Sequence, residues 1–505
     1  MSGTIYDLAI IGGGINGAGI AADAAGRGLR VVLFEKGDLA CGTSSASSKL
    51  IHGGLRYLEQ REFRLVRHAL AEREVLLDRA AHLIHPLRFV IPHAAGMRPR
   101  IVMRAGLFLY DSLARRRRIP ASASVDLTRD PMGAALRPEF RNGFSYHDCW
   151  VDDARLVAIT ALDAAERGAH ILTRAPVTRI VREGEGWRID AEAGGARHAF
   201  SARAVVNAAG PWCADVAALA RPEGAGSKAA VPMLRLVRGT HIVVPRIPGA
   251  DDALLLQNAD GRVVFVLPFG ARFTMIGTTE VVVSTPAEGF VASAEEEAYL
   301  IEAAGRYLSH PLTRTDIVWR FAGVRPLVDD GAATASSVTR DWRLDLVQPA
   351  GSAPFLNVIG GKITTFRLLA EAVLDRLRPF FPGMGGAWTA HAPLPGGDVG
   401  PHGLTGYRAD LARRRPGFAP ETLDRLAALY GTRADRVIGD AAHDADLGAA
   451  LGGGLTEREI CYLRDTEWAR TAEDVLWRRT KAGLDLSAGE RPEAEAKIAR
   501  LVSRT

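Results

Sequence analysis

The chain has 505 residues, 47% of them hydrophobic and 24% charged, the balance of an ordinary globular protein. At about 100–200 residues per domain this predicts two to four domains and excludes a mainly disordered, collagen-like or mucin-like chain. The formal charge of +5 is local: residues 98–118 hold seven arginines against one aspartate, a net +6, and the rest of the chain is nearly neutral.

Residues 5–36 read as strand, glycine turn, helix and strand. A short β-branched run ends in glycines, an Ala-rich stretch closes at Gly28, and a second apolar strand ends at Glu35. A helical pattern follows at about 63–83. Residues 176–206 alternate as antiparallel strands and end in a buried one, and further strands are predicted at 241–246, 263–268 and 273–283. Residues 391–403, rich in Gly and Pro, read as a linker before a helical C-terminal domain at 404–505. Four scattered cysteines fit reduced thiols in a cytosolic protein. No metal site emerges from their spacing or that of the histidines. No apolar run reaches the roughly 18 residues of a membrane span, and the early strand argues against a signal peptide.

Gly12-x-Gly14-x-x-Gly17 stands between the first strand and the helix. Gly12 suits the tight turn, Gly14 lets backbone approach a pyrophosphate, and Gly17 permits close helix–strand packing. A pyrophosphate is then favoured at the helix N-terminus, with Glu35 placed for ribose hydroxyls and Lys36 beside it. This predicts a dinucleotide site and leaves FAD and NAD both open.

The run GTSSASSKLIHGGLRYLE (42–59) resembles the signature of FAD-dependent glycerol-3-phosphate dehydrogenases, within the wider D-amino-acid-oxidase-like flavoprotein group. NAAGPW (207–212), VRGTHIVVP (237–245), IGTTE (276–280), GVRPL (323–327), GGKITTFR (360–367) and EWARTAEDVLWRRTKAGL (467–484) match in order. Glu280 stands where the resemblance leads one to expect Asp. The resemblance implies an α/β fold with a Rossmann-like FAD domain in segments of about 1–90, 145–215 and 320–385. To these it adds an antiparallel substrate sheet at about 225–320 and the C-terminal helices. It implies oxidation of sn-glycerol 3-phosphate to dihydroxyacetone phosphate, with hydride transfer to FAD and electrons passed to membrane quinone.

Such a site needs cations for the phosphate, a base for the hydroxyl and donors for the reduced flavin. The resemblance points to Arg56 with Tyr57, to Arg325 in a constrained Gly–Pro frame, and to Lys362 after paired glycines; Arg suits phosphate through its planar fork of donors. A lone histidine at a strand start is more often structural, but the resemblance makes His241 the proton acceptor, as its intrinsic pKa also favours, with Arg325 as the alternative. Thr278 and Thr279 are candidate hydroxyl donors, Thr279 to the substrate. Ser44, Ser45, Ser47 and Ser48 form a polar loop for pyrophosphate and flavin. Further cofactor contacts are implied for Ile15, Asn16, Thr43, Lys49, His52, Gly53 and Gly54. Others are implied for Val177, Ala209, Gly210, Trp212, Gly323, Gly361, Ile363 and Thr364.

Over residues 100–118, Arg100, Arg104, Asp111, Arg115 and Arg118 fall within about 60° at helical spacing. The rest of that surface is apolar. A helix of this kind fits an interfacial element that buries its apolar side and meets anionic headgroups with arginine; a core helix with a solvated stripe is the alternative. The family supports peripheral attachment to the inner face of the cytoplasmic membrane, and a homodimer is a further expectation. A nucleic-acid partner is not expected, because no aromatic-interleaved basic surface accompanies the arginines. The rival readings are an oxygen-using glycerol-3-phosphate oxidase, an amine or amino-acid oxidase of the same group, and a catalytically silent flavin-bound protein.

Overall fold

The computed structural model describes residues 4–220, 234–328, 340–348 and 352–503. Strand Ile5–Ile11 lies between Val31–Phe34 and Ala196–Asn207, parallel to both, and Phe355–Gly360 and His170–Leu172 extend the parallel sheet on either side. These strands are apolar on both faces because both are covered, one by helices and the other mainly by meander side chains such as Ile180, Trp187 and Ile189. Helices Ile15–Gly26, Asp153–Glu166 and Phe366–Leu377 pack together, and their Ala, Leu and Val side chains form one core with the sheet. Three antiparallel strands, Val177–Glu183, Gly186–Ala193 and Ala196–Asn207, form the predicted meander and end in the buried strand.

A second, ten-stranded sheet stands beside the first. Its long strand Leu234–Pro245 pairs antiparallel with Trp319–Val328, setting Val237 opposite Arg325, Gly239 opposite Gly323 and His241 opposite Phe321. The sheet is wider than the predicted 225–320. It also takes Ile84–His93, Asn142–Val151 and Trp319–Val328, which the sequence reading placed in FAD-binding segments. Alternation identifies a strand but not the sheet it joins.

The C-terminal residues build their own core, with Leu426, Tyr430, Val437, Ile460, Leu463 and Ile498 at its centre. A two-stranded ribbon interrupts the helices at Ala450–Gly452 and Leu455–Thr456. The buried ion pair of Arg155 with Glu467 fastens this core to the first one.

The basic segment differs from the predicted helix over 100–118. The helix is Arg100–Ser112, and residues 115–118 lie outside it. Glu74 accepts the backbone N–H groups of Arg117 and Arg118 at 3.2 and 3.3 Å, and Asp111 accepts the backbone N–H and the hydroxyl of Ser122, so the chain turns away. The helix has two apolar faces. Met103, Leu107 and Tyr110 enter the core, whereas Ile101 and Phe108 are 79% and 68% exposed, with Val102 and Leu109 between them. Among the described residues no helix is long and apolar enough to cross a membrane.

Candidate active site

A cavity of about 1290 Å³ runs from the first glycine turn to the strands of the second sheet. At its dinucleotide end the fingerprint is built as predicted. Gly12 has φ +116°, and a Cβ there would lie 2.5 Å from the Ala208 carbonyl; a Cβ on Gly17 would lie 1.8 Å from the Gly12 carbonyl. Gly17 therefore packs helix on strand and leaves the cavity wall to Gly12 and Gly14. Gly14 caps the helix with no side-chain hydrogen bond, and the first turn holds no acid. This end is a ready site for phosphate charge. The Ser44 hydroxyl accepts from the Ile15 N–H at 3.0 Å.

Glu35 is anchored by the N–H groups of Gly13 and Gly37, each at 2.7 Å. Its carboxylate is thus fixed on the wall with lone pairs to spare for hydroxyls. Lys36 lies over the Trp212 ring, 3.4 Å from its centre. Val177, Ala209, Gly210 and Trp212 complete this end. Asn16 donates to the Gly360 carbonyl at 3.1 Å, while its side-chain oxygen is buried without a partner among the described residues. The acid-free helix N-terminus, the glycine cradle and this orphaned acceptor fit a dinucleotide cofactor.

At the other end four cations converge on the wall: Arg56, Arg325, Arg340 and Lys362. Arg325, opposite Val237, reaches the cavity past Gly239 on the same partner strand, where a Cβ would meet its guanidinium at 2.8 Å. Its Nη2 donates to Thr278 Oγ1 at 3.4 Å. Arg325 Nη1 and Lys362 Nζ are buried and make no hydrogen bond among the described residues. Burial and Arg340 push the Arg325 guanidinium down to about 10, against an upward pull from Glu280. Burial lowers the Lys362 ammonium as well. Burial would raise the Tyr57 phenol, yet Lys362, Arg340 and Arg325 together bring it below its ordinary value. Lys362 lies over the Tyr57 ring, 4.6 Å from its centre. A field this positive suits an anionic ligand.

His52, Gly54, Gly323, Gly361, Ile363 and Thr364 also line the cavity, as does Thr43. Besides Gly17 and His241, four sequence-predicted residues do not. Thr279 is buried behind the wall, accepting from the Thr240 N–H and donating to Glu296, and its neighbour Thr278 faces the cavity instead. Lys49 is held in a buried ion pair with Asp153 at 2.7 Å. Gly53 packs on Leu70 and Tyr110. Ser45 turns back toward the Gly42 carbonyl.

His241 is only 1% exposed and is not on the wall. Its ring stacks on Phe321, and its Nε2 lies 2.9 Å from Ser48 Oγ, which does line the cavity. Burial, then Arg325 and Lys49, hold its pKa well below 6.5, so it is neutral at pH 7. Arg340 is a site residue that sequence reading missed. No glycine frame or repeated motif surrounds it, and only the fold brings it to Glu280.

The FAD dependent oxidoreductase family model matches residues 7–367, and a second, the C-terminal domain of alpha-glycerophosphate oxidase, matches residues 387–505. The chain belongs to the FAD-dependent oxidoreductase family. FAD is therefore the chain's cofactor, and the chain is an enzyme of this family. It is 49% identical to a D-erythritol 1-phosphate dehydrogenase of Brucella abortus, over 96% of both chains. Against a glycerol-3-phosphate dehydrogenase of Pseudomonas aeruginosa it is also 49% identical, over 96% of this chain and 93% of the relative. The aerobic glycerol-3-phosphate dehydrogenase of Escherichia coli is 46% identical, over 96% and 95%. In fold the family member resembles the FAD-complexed glycerol-3-phosphate dehydrogenase of Bacillus halodurans. The TM-score is 0.74 at 24% identity, covering 99% of this chain and 95% of the other.

Proposed function

We propose that the enzyme oxidises sn-glycerol 3-phosphate at carbon two to dihydroxyacetone phosphate and passes the electrons through FAD to a membrane quinone. The observation that carries this reading is a pair of half-buried cations on the cavity wall, Arg325 and Lys362, each with a buried nitrogen that makes no hydrogen bond among the described residues. Glu280 lies 4.0 Å from Arg325, beyond hydrogen-bond reach; a buried N–H donor without an acceptor is costly, and a substrate phosphate supplies the missing acceptor through charge-assisted hydrogen bonds. Arg56 and Arg340 add charge to the same wall. When bound, FAD supplies the two-electron acceptor. The chain's own task is to hold the phosphate, orient carbon two and take the hydroxyl proton. His241 cannot touch substrate directly, so its proton path runs through Ser48: the hydroxyl gives its proton to His241 Nε2 as it accepts one from the substrate.

The exposed apolar face of helix Arg100–Ser112 supports peripheral membrane attachment, where a quinone would be met. Val102 and Leu109 lie both on this face and on the cavity wall.

The test is anaerobic mixing of the FAD-loaded protein with glycerol 3-phosphate while flavin absorbance is followed. Bleaching within seconds is expected, and persistent oxidised flavin overturns the assignment. D-erythritol 1-phosphate runs in parallel because one relative is named for it; faster bleaching there moves the substrate to the longer polyol phosphate. Oxygen consumption matching turnover without a quinone analogue makes the enzyme an oxidase.

A further inference from the structure

The C-terminal domain has its own core, yet residues 474–484 reach back to the loop that borders the cavity. Arg478 and Arg479 both pair with Asp38, at 2.7 and 2.8 Å, just past the second strand of the dinucleotide unit. Lys481 donates to Asp152 at 2.6 Å. It does so from φ +62°, a left-handed conformation that is strained in a non-glycine residue.

Asp152 caps helix Asp153–Glu166 through the Arg155 N–H. The next residue, Asp153, holds the loop itself. One carboxylate oxygen accepts Lys49 Nζ at 2.7 Å; the other accepts the Ser47 N–H and hydroxyl at 3.1 and 2.7 Å. Lys49 also donates to the Ser45 carbonyl at 3.0 Å. The Lys49 and Asp153 side chains are fully buried, so neither sees the ligand; they set where the serines stand.

A second contact arrives through rings. Trp477 stacks on Trp319 with centres 4.9 Å apart, Trp319 meets Phe321 at 4.8 Å, and Phe321 stacks on His241 at 4.9 Å. His241 then meets Ser48. The loop 43–49 is thus fixed from behind by a charge lattice and an aromatic stack that both begin in the same eleven-residue stretch of the C-terminal domain.

We propose that residues 474–484 are a positioning element for the cofactor loop 43–49, with Lys481 as the residue that sets it through Asp152 and the helix end carrying Asp153. The proposal rests on the placement of FAD against that loop. It gives the C-terminal domain a part in cofactor binding as well as in stability. An ordinary domain-interface ion pair acts otherwise: its loss lowers the melting temperature and leaves FAD affinity alone.

The experiment titrates the full-length apoprotein with FAD, following flavin fluorescence, with melting temperature recorded on each apoprotein. Lys481→Met and Asp152→Asn break the same bond from either side, and each is expected to raise the Kd for FAD about tenfold. Lys481→Arg restores it to within about twofold. Arg433→Gln removes an ion pair to Glu166 at the far end of the same helix and leaves the Kd unchanged. Ser44→Val, which removes the hydroxyl at the Ile15 N–H, reports on the loop directly. A wild-type Kd in both Lys481→Met and Asp152→Asn, with Ser44→Val weakened, overturns the proposal alone. Wild-type Kd in all three overturns the loop placement with it. An equal loss in Arg433→Gln also overturns the proposal, because any interface bond would then serve.

Discussion

Glu280 and Arg340 share a 2.7 Å hydrogen bond on the cavity wall, and the same carboxylate lies 4.0 Å from Arg56 and from Arg325. One carboxylate thus faces three guanidinium groups where a substrate phosphate is proposed to bind. It steadies the arginines and also competes with an incoming anion.

Glu280→Gln removes that competing charge. Inorganic phosphate, as a competitive inhibitor, is expected to bind about threefold to tenfold tighter, on the order of 1 kcal/mol for one screened charge at this distance. Glu280→Asp keeps the charge but shortens its reach, so inhibition should change by less than in Glu280→Gln. Weaker inhibition by phosphate in Glu280→Gln would show that ordering the arginines matters more than competition.

Lys362 supplies a pH signature. On the proposed reading its charged form binds the substrate phosphate, and burial has already lowered its pKa from 10.5. As pH rises through that lowered value the ammonium is lost, so KM for glycerol 3-phosphate rises on an alkaline limb below 10.5. Lys362→Met should raise KM at pH 7 about 10- to 100-fold, the loss of one charge-assisted hydrogen bond, and flatten the limb. Lys362→Arg should move the limb upward, because guanidinium holds its proton longer. Profiles of kcat/KM between pH 7 and 10 decide this; an unmoved limb in Lys362→Met assigns it to another group.

His241 and Ser48 make one proton path or none. If the path runs from substrate through Ser48 to His241, either Ser48→Ala or His241→Gln should slow flavin reduction about 10²- to 10⁴-fold, the usual range for a general base. The double variant should be no slower than the worse single one, since residues acting as a unit are not additive. Stopped-flow reduction rates measure it. Multiplying effects, or a fast His241→Gln enzyme, would leave the histidine a structural one stacked on Phe321.

Local chemistry was legible; long-range placement was not. The unit at 5–36 could be read because each step is encoded next to the last: β-branched strand, glycines, alanine helix, acid. Arg56, Arg325 and Lys362 stood out through the family resemblance, in motifs framed by glycines; the fold also uses glycine for close approach at Gly239 beside Arg325. Arg340 had no such frame. Thr279 was chosen over Thr278 because no local pattern shows that the strand Phe273–Gly277 ends before them and turns Thr278 outward. His241 drew attention by its intrinsic pKa, but the loop that covers it comes from residues nearly 200 positions earlier. The same holds for the basic helix, whose end is set by Glu74 reaching Arg117 and Arg118 from another helix.

That shorter helix changes what should anchor the enzyme to a membrane. The arginines at 115–118 no longer continue the helical stripe, and two of them are already partnered, Arg116 with Asp111 and Arg118 with Asp78. The exposed apolar side chains Ile101 and Phe108 lie on the helix itself. Each is worth about 1.5–3 kcal/mol when fully buried, more than a screened surface charge near anionic lipid. Ile101→Ser with Phe108→Ser is therefore expected to abolish sedimentation with phosphatidylglycerol vesicles at any salt concentration. Substituting Glu at 115–118 should weaken binding mainly at low salt. Activity with a soluble dye acceptor should survive in both. Vesicle binding that persists in the serine variant, yet disappears with the four glutamates, would place the contact on the arginine turn and leave the apolar face to another partner.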